Sequence, residues 1–208
     1  LRCVALLLRD VDGAAGSSFE VETRSGTRRV ELASDGRVIV DMGEPNFTKA
    51  AIPMRGPAWE TYLREPLDLG GGLVVTASAV SMGNPHLVLF VEEDPERFHV
   101  AHIGAVLERD DRFPEGTNVE FGKVDENEIV ARVWERGSGE TMACGSGACA
   151  IAVAATEAGL ADRRSLVRFP GGVLEVDRSE SGSVLLTGPA RRVFETTLDL
   201  DALMGTAG

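Results

Sequence analysis

Residues 134–150 read WERGSGETMACGSGACA. The run ahead of them, Glu128–Trp134, alternates apolar and polar residues as a strand does. Glu135 and Arg136 stand at its tip, Gly137 and Gly139 bend the chain, and Cys144-Gly145-Ser146-Gly147 leads straight into an Ala/Val-rich run that Gly159 stops. The spacing predicts strand, loop and then a helix from Cys144 to Ala158 with a glycine past its end. Outward from this unit, Val119–Val124 makes a strand pair with Glu128–Trp134. Leu166–Phe169, Val173–Val176, Val184–Thr187 and Val193–Leu198 read as four further short strands. Many strands of antiparallel type with two substantial helices predict an α+β fold.

Upstream, Leu73–Val80 and His86–Glu92 read as strands around the turn Ser81-Met82-Gly83-Asn84-Pro85, and apolar residues between Pro95 and Glu108 fall in a helical stripe. Phe19–Thr23 alternates as a strand. Arg28–Leu32 and Arg37–Asp41 flank Ser34-Asp35-Gly36, the pattern of a hairpin with a glycine turn. Residues 1–9, LRCVALLLR, are apolar from the first residue and read as the tail of a helix. A proline-bearing stretch, Glu44 to Pro66, precedes Gly70-Gly71-Gly72, where composition alone places a domain boundary.

Composition narrows the function. The 208 residues suffice for a core of ordinary size, and 43% hydrophobic with 26% charged residues is a globular balance. A net charge of −12 disfavours nucleic-acid and anionic-membrane partners, which require clustered positive charge. The 21 basic residues include only two lysines, Lys49 and Lys123, leaving 19 arginines. A Schiff-base cofactor needs a desolvated lysine, and Lys123 leads into a turn, so no cofactor is expected. The three cysteines, Cys3, Cys144 and Cys149, are an odd set without CxxC spacing, and His86, His99 and His102 are scattered. Free thiols, a reducing, cytoplasmic location and no metal site are expected.

The glycines after Cys144 leave backbone N–H groups open at a helix start, where the dipole favours an anion such as a carboxylate. The same position is expected to lower the pKa of the Cys144 thiol. The plainer alternative is a small buried cysteine beside a tight turn. Cys149, five residues on, reads as a packing residue. Asn84 and His86 project from the turn SMGNPH, and Asn118 begins a strand in GTNVEF; each of these residue types also serves turns purely conformationally.

SMGNPHLVLFVE (81–92), GTNVEF (116–121) and ERGSGETMACGSGACA (135–150), with DMGEP (41–45) and FPGG (169–172), resemble the diaminopimelate epimerases, cofactor-independent amino-acid isomerases of lysine biosynthesis. The resemblance implies two pseudo-symmetric lobes, each a curled antiparallel sheet around a central helix, with the first lobe incomplete in this chain. It divides the chain into 1–66, the remainder of the N-terminal lobe; 73–190, the C-terminal lobe; and 191–208, a terminal strand returning to the first lobe. It implies a small-molecule substrate, diaminopimelate, and a homodimer. Residue by residue, Cys144 matches a catalytic cysteine, Gly145 and Ser146 the donors to the substrate's α-carboxylate, and Glu135 and Arg136 a substrate-binding pair, with Glu135 also catalytic. Asn84 and Asn118 match residues at the distal amino-acid end, and His86 a histidine near the acid–base pair. Cys3 matches a noncatalytic cysteine of the first lobe, so the second catalytic thiol is expected just before residue 1 and the chain is expected to be truncated. Two rivals accompany this reading: a proline racemase-like isomerase of the same superfold, and a noncatalytic carboxylate-binding lobe.

Overall fold

The computed structural model describes residues 1–10, 16–23, 26–197 and 199. Its helices are α1 (Arg2–Asp10), α2 (Val100–Leu107) and α3 (Gly145–Glu157). Its strands are β1 (Ser18–Thr23), β2 (Gly26–Leu32), β3 (Val38–Asp41), β4 (Glu65–Asp68), β5 (Val74–Ser81), β6 (Pro85–Phe90), β7 (Asn118–Asp125), β8 (Glu128–Glu135), β9 (Gly139–Thr141), β10 (Arg164–Phe169), β11 (Gly172–Arg178) and β12 (Val184–Gly188). They form one sheet in the order β1-β2-β3-β12-β11-β10-β8-β7-β6-β5-β4, with β9 paired to β8. The α+β class predicted from the chain is the one observed.

The sheet closes around α3, which packs on β5, β6, β7, β10, β11 and β12. Residues Gly147 to Ala155 are all buried. Their small alanines let strands approach from every side, and a helix apolar all round belongs inside. Gly122 on β7 makes room: a Cβ there would lie 2.1 Å from Ile151 Cδ1. The β5–β6–β7 region is covered on both faces. Val80 and Val88 join the α3 cluster, while Leu87, Leu89, Val119 and Phe121 join a second core with Val100 and Leu107 of α2. Burial on both faces is why these strands read as continuous apolar runs.

Four differences from the sequence reading have physical causes. First, the sheet is mixed. β6 and β7 run parallel across the α2 crossover, and β8 and β10 run parallel across α3, because a helical crossover returns the chain in the same direction. Second, the stripe from Pro95 breaks into a 3₁₀ turn, Pro95–Arg97, and α2. Phe98 is extended, and its carbonyl accepts from Arg132 Nη1 at 3.1 Å. Third, Gly70–Gly72 forms the turn of the β4–β5 hairpin, all three glycines having positive φ. Ile52, Met54 and Leu67 accordingly pack in one cluster with Val75 and Ala77. Fourth, Val193–Thr197 form no strand; Val193 and Phe194 are exposed, and the remainder of that expected segment, Leu198, lies outside the described residues. β9 was not legible because three residues carry no usable period.

Candidate active site

Cys144 is the N-cap of α3, with extended backbone, and its sulfur accepts from the Gly147 N–H at 3.4 Å. Ser146 Oγ lies 3.5 Å from the same sulfur. The N–H groups of Gly145 and Ser146 lie in the first turn, where no carbonyl four residues back can receive them. An anion can therefore be held by backbone donors within one turn of the thiol.

The β6–β7 register brings the rest of the site to this turn. His86 pairs with Asn118 and Val88 with Glu120, so His86 and Glu120 share the face turned to α3. Asn84 Nδ2 donates to Ser146 Oγ at 3.4 Å, Asn84 Oδ1 meets His86 Nε2 at 3.1 Å, and His86 Nδ1 meets Glu120 Oε1 at 2.7 Å. A continuous polar chain thus runs from the fully buried Glu120 to the thiol. Asn118 ties the two loops together: its amide donates to Pro85 O at 2.8 Å and accepts from the Arg136 N–H at 2.9 Å. Glu135 accepts from Thr141 Oγ1 across the β8–β9 turn. The exposed Arg136 guanidinium donates to Glu115 O at 2.9 Å.

Most of the sequence-predicted site residues therefore lie in one hydrogen-bonded neighbourhood around the α3 start, while Glu135 bonds Thr141 instead. Asn84, His86, Ser146 and Cys144 form a direct chain, Asn118 braces it, and Arg136 points its side chain toward the 115–116 carbonyls. Three contributors escaped the sequence reading. Glu120 interrupts the apolar run Val119–Phe121, and a lone acid in such a run is the signal that could have exposed it. Thr141 and Glu108 carried no signal. Glu108 bonds Trp134 Nε1 at 2.6 Å and Gly137 N at 2.9 Å, fixing the strand tip that presents Glu135 and Arg136.

Electrostatics corrects one expectation. The Cys144 thiol is not lowered but pushed up to about 12, chiefly by burial, against the opposing hydrogen bonds from Ser146 and Gly147. Desolvation outweighs the helix start. Burial also raises Glu120, despite the neighbouring His86, and raises Cys149. Among the described residues no group of three or more His, Cys, Asp or Glu side chains is arranged to hold a metal, and no helix is long and apolar enough to cross a membrane. A surface cavity of about 1000 Å³ lies along Asp125–Glu128 and Arg164–Leu166 and contains none of these site residues.

The sequence profile described as diaminopimelate epimerase matches residues 78–193, the segment holding this constellation. A diaminopimelate epimerase of Bacillus licheniformis is 43% identical over 202 residues, covering 94% of this chain and 70% of that protein. One of Desulforudis audaxviator is 47% identical over 202 residues, with 94% and 71% covered. Among solved structures, a hydroxyproline epimerase from Agrobacterium vitis superposes with a TM-score of 0.66 at 14% identity, covering 89% of this chain and 61% of that one. That last likeness establishes the fold. The sequence relatives establish more: the chain is a member of the diaminopimelate epimerase family, a family of isomerases that use no pyridoxal cofactor.

Proposed function

We propose that this chain binds diaminopimelate and serves its epimerisation between the LL and meso forms, with Cys144 as one of two thiols that exchange the α-proton. The observation that carries the proposal is the capping position of Cys144, its sulfur beside the Ser146 hydroxyl and the Gly147 N–H at a helix start with open amides. Inverting a carbon requires a proton to leave one face and another to arrive on the opposite face. One thiolate takes the α-proton. The electron pair left on carbon spreads into the carboxylate, which the Gly145 and Ser146 N–H groups would hold. The opposite thiol then gives its proton to the other face.

A thiol pushed up to about 12 suits the proton-donating role in the free protein. Cys149 is sealed within the core and Cys3 is exposed on α1; the resemblance gives neither a catalytic role, so the reading requires an opposing thiol besides these. Asn84, Asn118, Glu135 and Arg136 would receive the distal amino-acid end, Arg136 exchanging its carbonyl partners for a carboxylate. Free cysteines support the cytoplasmic location in the proposal, and the resemblance supports the homodimer. A separate small core of Ala5, Val30, Val38 and Val40 supports dividing off a first lobe within 1–66, apart from 73–190 and 191–208.

Calorimetric titration and α-proton exchange in deuterated water test this on the chain and on Cys144→Ser. Diaminopimelate should bind and proline should not; Cys144→Ser should keep binding and lose any α-deuterium incorporation. Binding of proline alone would favour a proline racemase-like isomerase. Exchange unaffected by Cys144→Ser would leave a carboxylate-binding lobe. Epimerisation by these 208 residues alone would overturn the need for a further thiol.

A further inference from the structure

The buried end of the polar chain has a hydrogen count that the geometry fixes. Asn84 turns its amide nitrogen to Ser146 Oγ, so its oxygen accepts from His86 and Nε2 carries a hydrogen. At the other ring nitrogen, Nδ1 and Glu120 Oε1 are 2.7 Å apart, and one hydrogen must lie between them. That hydrogen resides on nitrogen, giving imidazolium and carboxylate, or on oxygen, giving two neutral groups.

Glu120 Oε2 distinguishes the two. Both side chains are 0% exposed, and Oε2 has no hydrogen-bond partner among the described residues. A carboxylate would leave a charged oxygen with neither solvent nor donor, whereas the carbonyl of a carboxylic acid suffers a much smaller loss. The space is also closed: a Cβ on Gly147 would lie 2.8 Å from Glu120 Oε1, so α3 seals the acid from above. The titratable groups facing Glu120 are His86 from β6, Glu135 from β8 and the Cys144 thiol at the α3 start. Only His86 among them can carry positive charge, and Glu135 opposes a second negative charge nearby.

We propose that Glu120 is a buried carboxylic acid that donates its hydrogen to His86 Nδ1 and thereby holds His86 as the neutral Nε2–H tautomer. Glu120 is then a positioning residue. Through Nε2–H it fixes the Asn84 amide, the Asn84 N–H fixes the Ser146 oxygen, and the Ser146 hydroxyl is left to donate to the Cys144 sulfur. Kept neutral, Glu120 also places no negative charge beneath a sulfur that becomes a thiolate during proton exchange. This last consequence rests on the proposed role of Cys144; the hydrogen assignment does not.

Nitrogen-15 NMR of histidine-labelled chain, with His86 assigned through a His86→Gln variant, reads the tautomer at pH 7. The expected spectrum has a protonated Nε2 and an unprotonated Nδ1. Infrared spectroscopy should show a buried carboxylic-acid C=O band that disappears in Glu120→Gln. Because a glutamine amide also donates to Nδ1, Glu120→Gln should keep the tautomer. An imidazolium at His86 in the wild-type chain, or no acid band, overturns the proposal. A chain in which Cys144→Ser leaves α-proton exchange intact but the His86 tautomer is as expected would refute the role of Cys144 alone.

Discussion

Helices α1 and α3 start from similar sequence and reach opposite environments. LRCVALLL at the start of the chain and GACAIAVAA at 147–155 each combine a cysteine with an apolar run. α3 touches six strands and buries every residue from Gly147 to Ala155. α1 packs on β2 and β3 and buries only Ala5, while Leu7 stays 55% exposed. Apolar content therefore does not predict burial by itself. A helix becomes core when a sheet surrounds it, and the chemistry of a cysteine follows from that enclosure and not from its helix alone.

The largest effect separating the two regions is in thiol reactivity. With iodoacetamide at pH 8 and peptide-resolved mass spectrometry, the exposed Cys3 should be alkylated first. Cys144, pushed up to about 12, should react about a thousandfold more slowly than an ordinary exposed thiol, since so little thiolate is present. Cys149 should be slower still, because reagent reaches it only when the core opens. Comparable rates at Cys3 and Cys149 would erase the distinction between the helices.

Truncations sharpen the same contrast in stability. Ile151→Ala removes a fully buried side chain from α3 and should cost about 3 kcal/mol in a urea titration. Leu7→Ala on α1 should stay within about 0.5 kcal/mol. A loss at Leu7 as large as that at Ile151 would mean that α1 is enclosed in solution.

A further effect lies outside both helices. Arg112 hydrogen-bonds Asp110 and holds it below the usual carboxylate range, with burial acting in the opposite sense. A carboxylate depressed in the folded state stabilises it fully above the ordinary carboxylate range, and that contribution fades as pH falls through the depressed value. Asp110→Asn should cost about 1 kcal/mol at pH 7, with the difference from wild type shrinking in acid. A cost that is the same at both pH values would assign the loss to packing.

Local periodicity made most elements legible. The strand at Phe19–Thr23, the hairpin about Ser34–Gly36, the pair β7–β8 and the glycine-stopped α3 all appear where alternation or glycine punctuation places them. The candidate site was legible as a list of residues because Cys144-Gly145-Ser146 and Asn84-Pro85-His86 are short segments with strong local constraints. It was not legible as a network. Glu120 looked like one strand residue among others, and the Cys144 thiol was expected to shift the wrong way because helix position was counted and enclosure was not.

The sequence by itself determined the α+β class, the capped helix start bearing a thiol, and the family, since each of these is written within a few turns of chain. The tertiary structure alone decided that His86 meets Glu120 34 residues away and that Asn84 meets Ser146 62 residues away. It also decided that β6 and β7 run parallel, that α1 lies half open while α3 is sealed, and that burial lifts the Cys144 thiol. These depend on strand register and on desolvation, which come from the sum of distant contacts and have no signature in any local window.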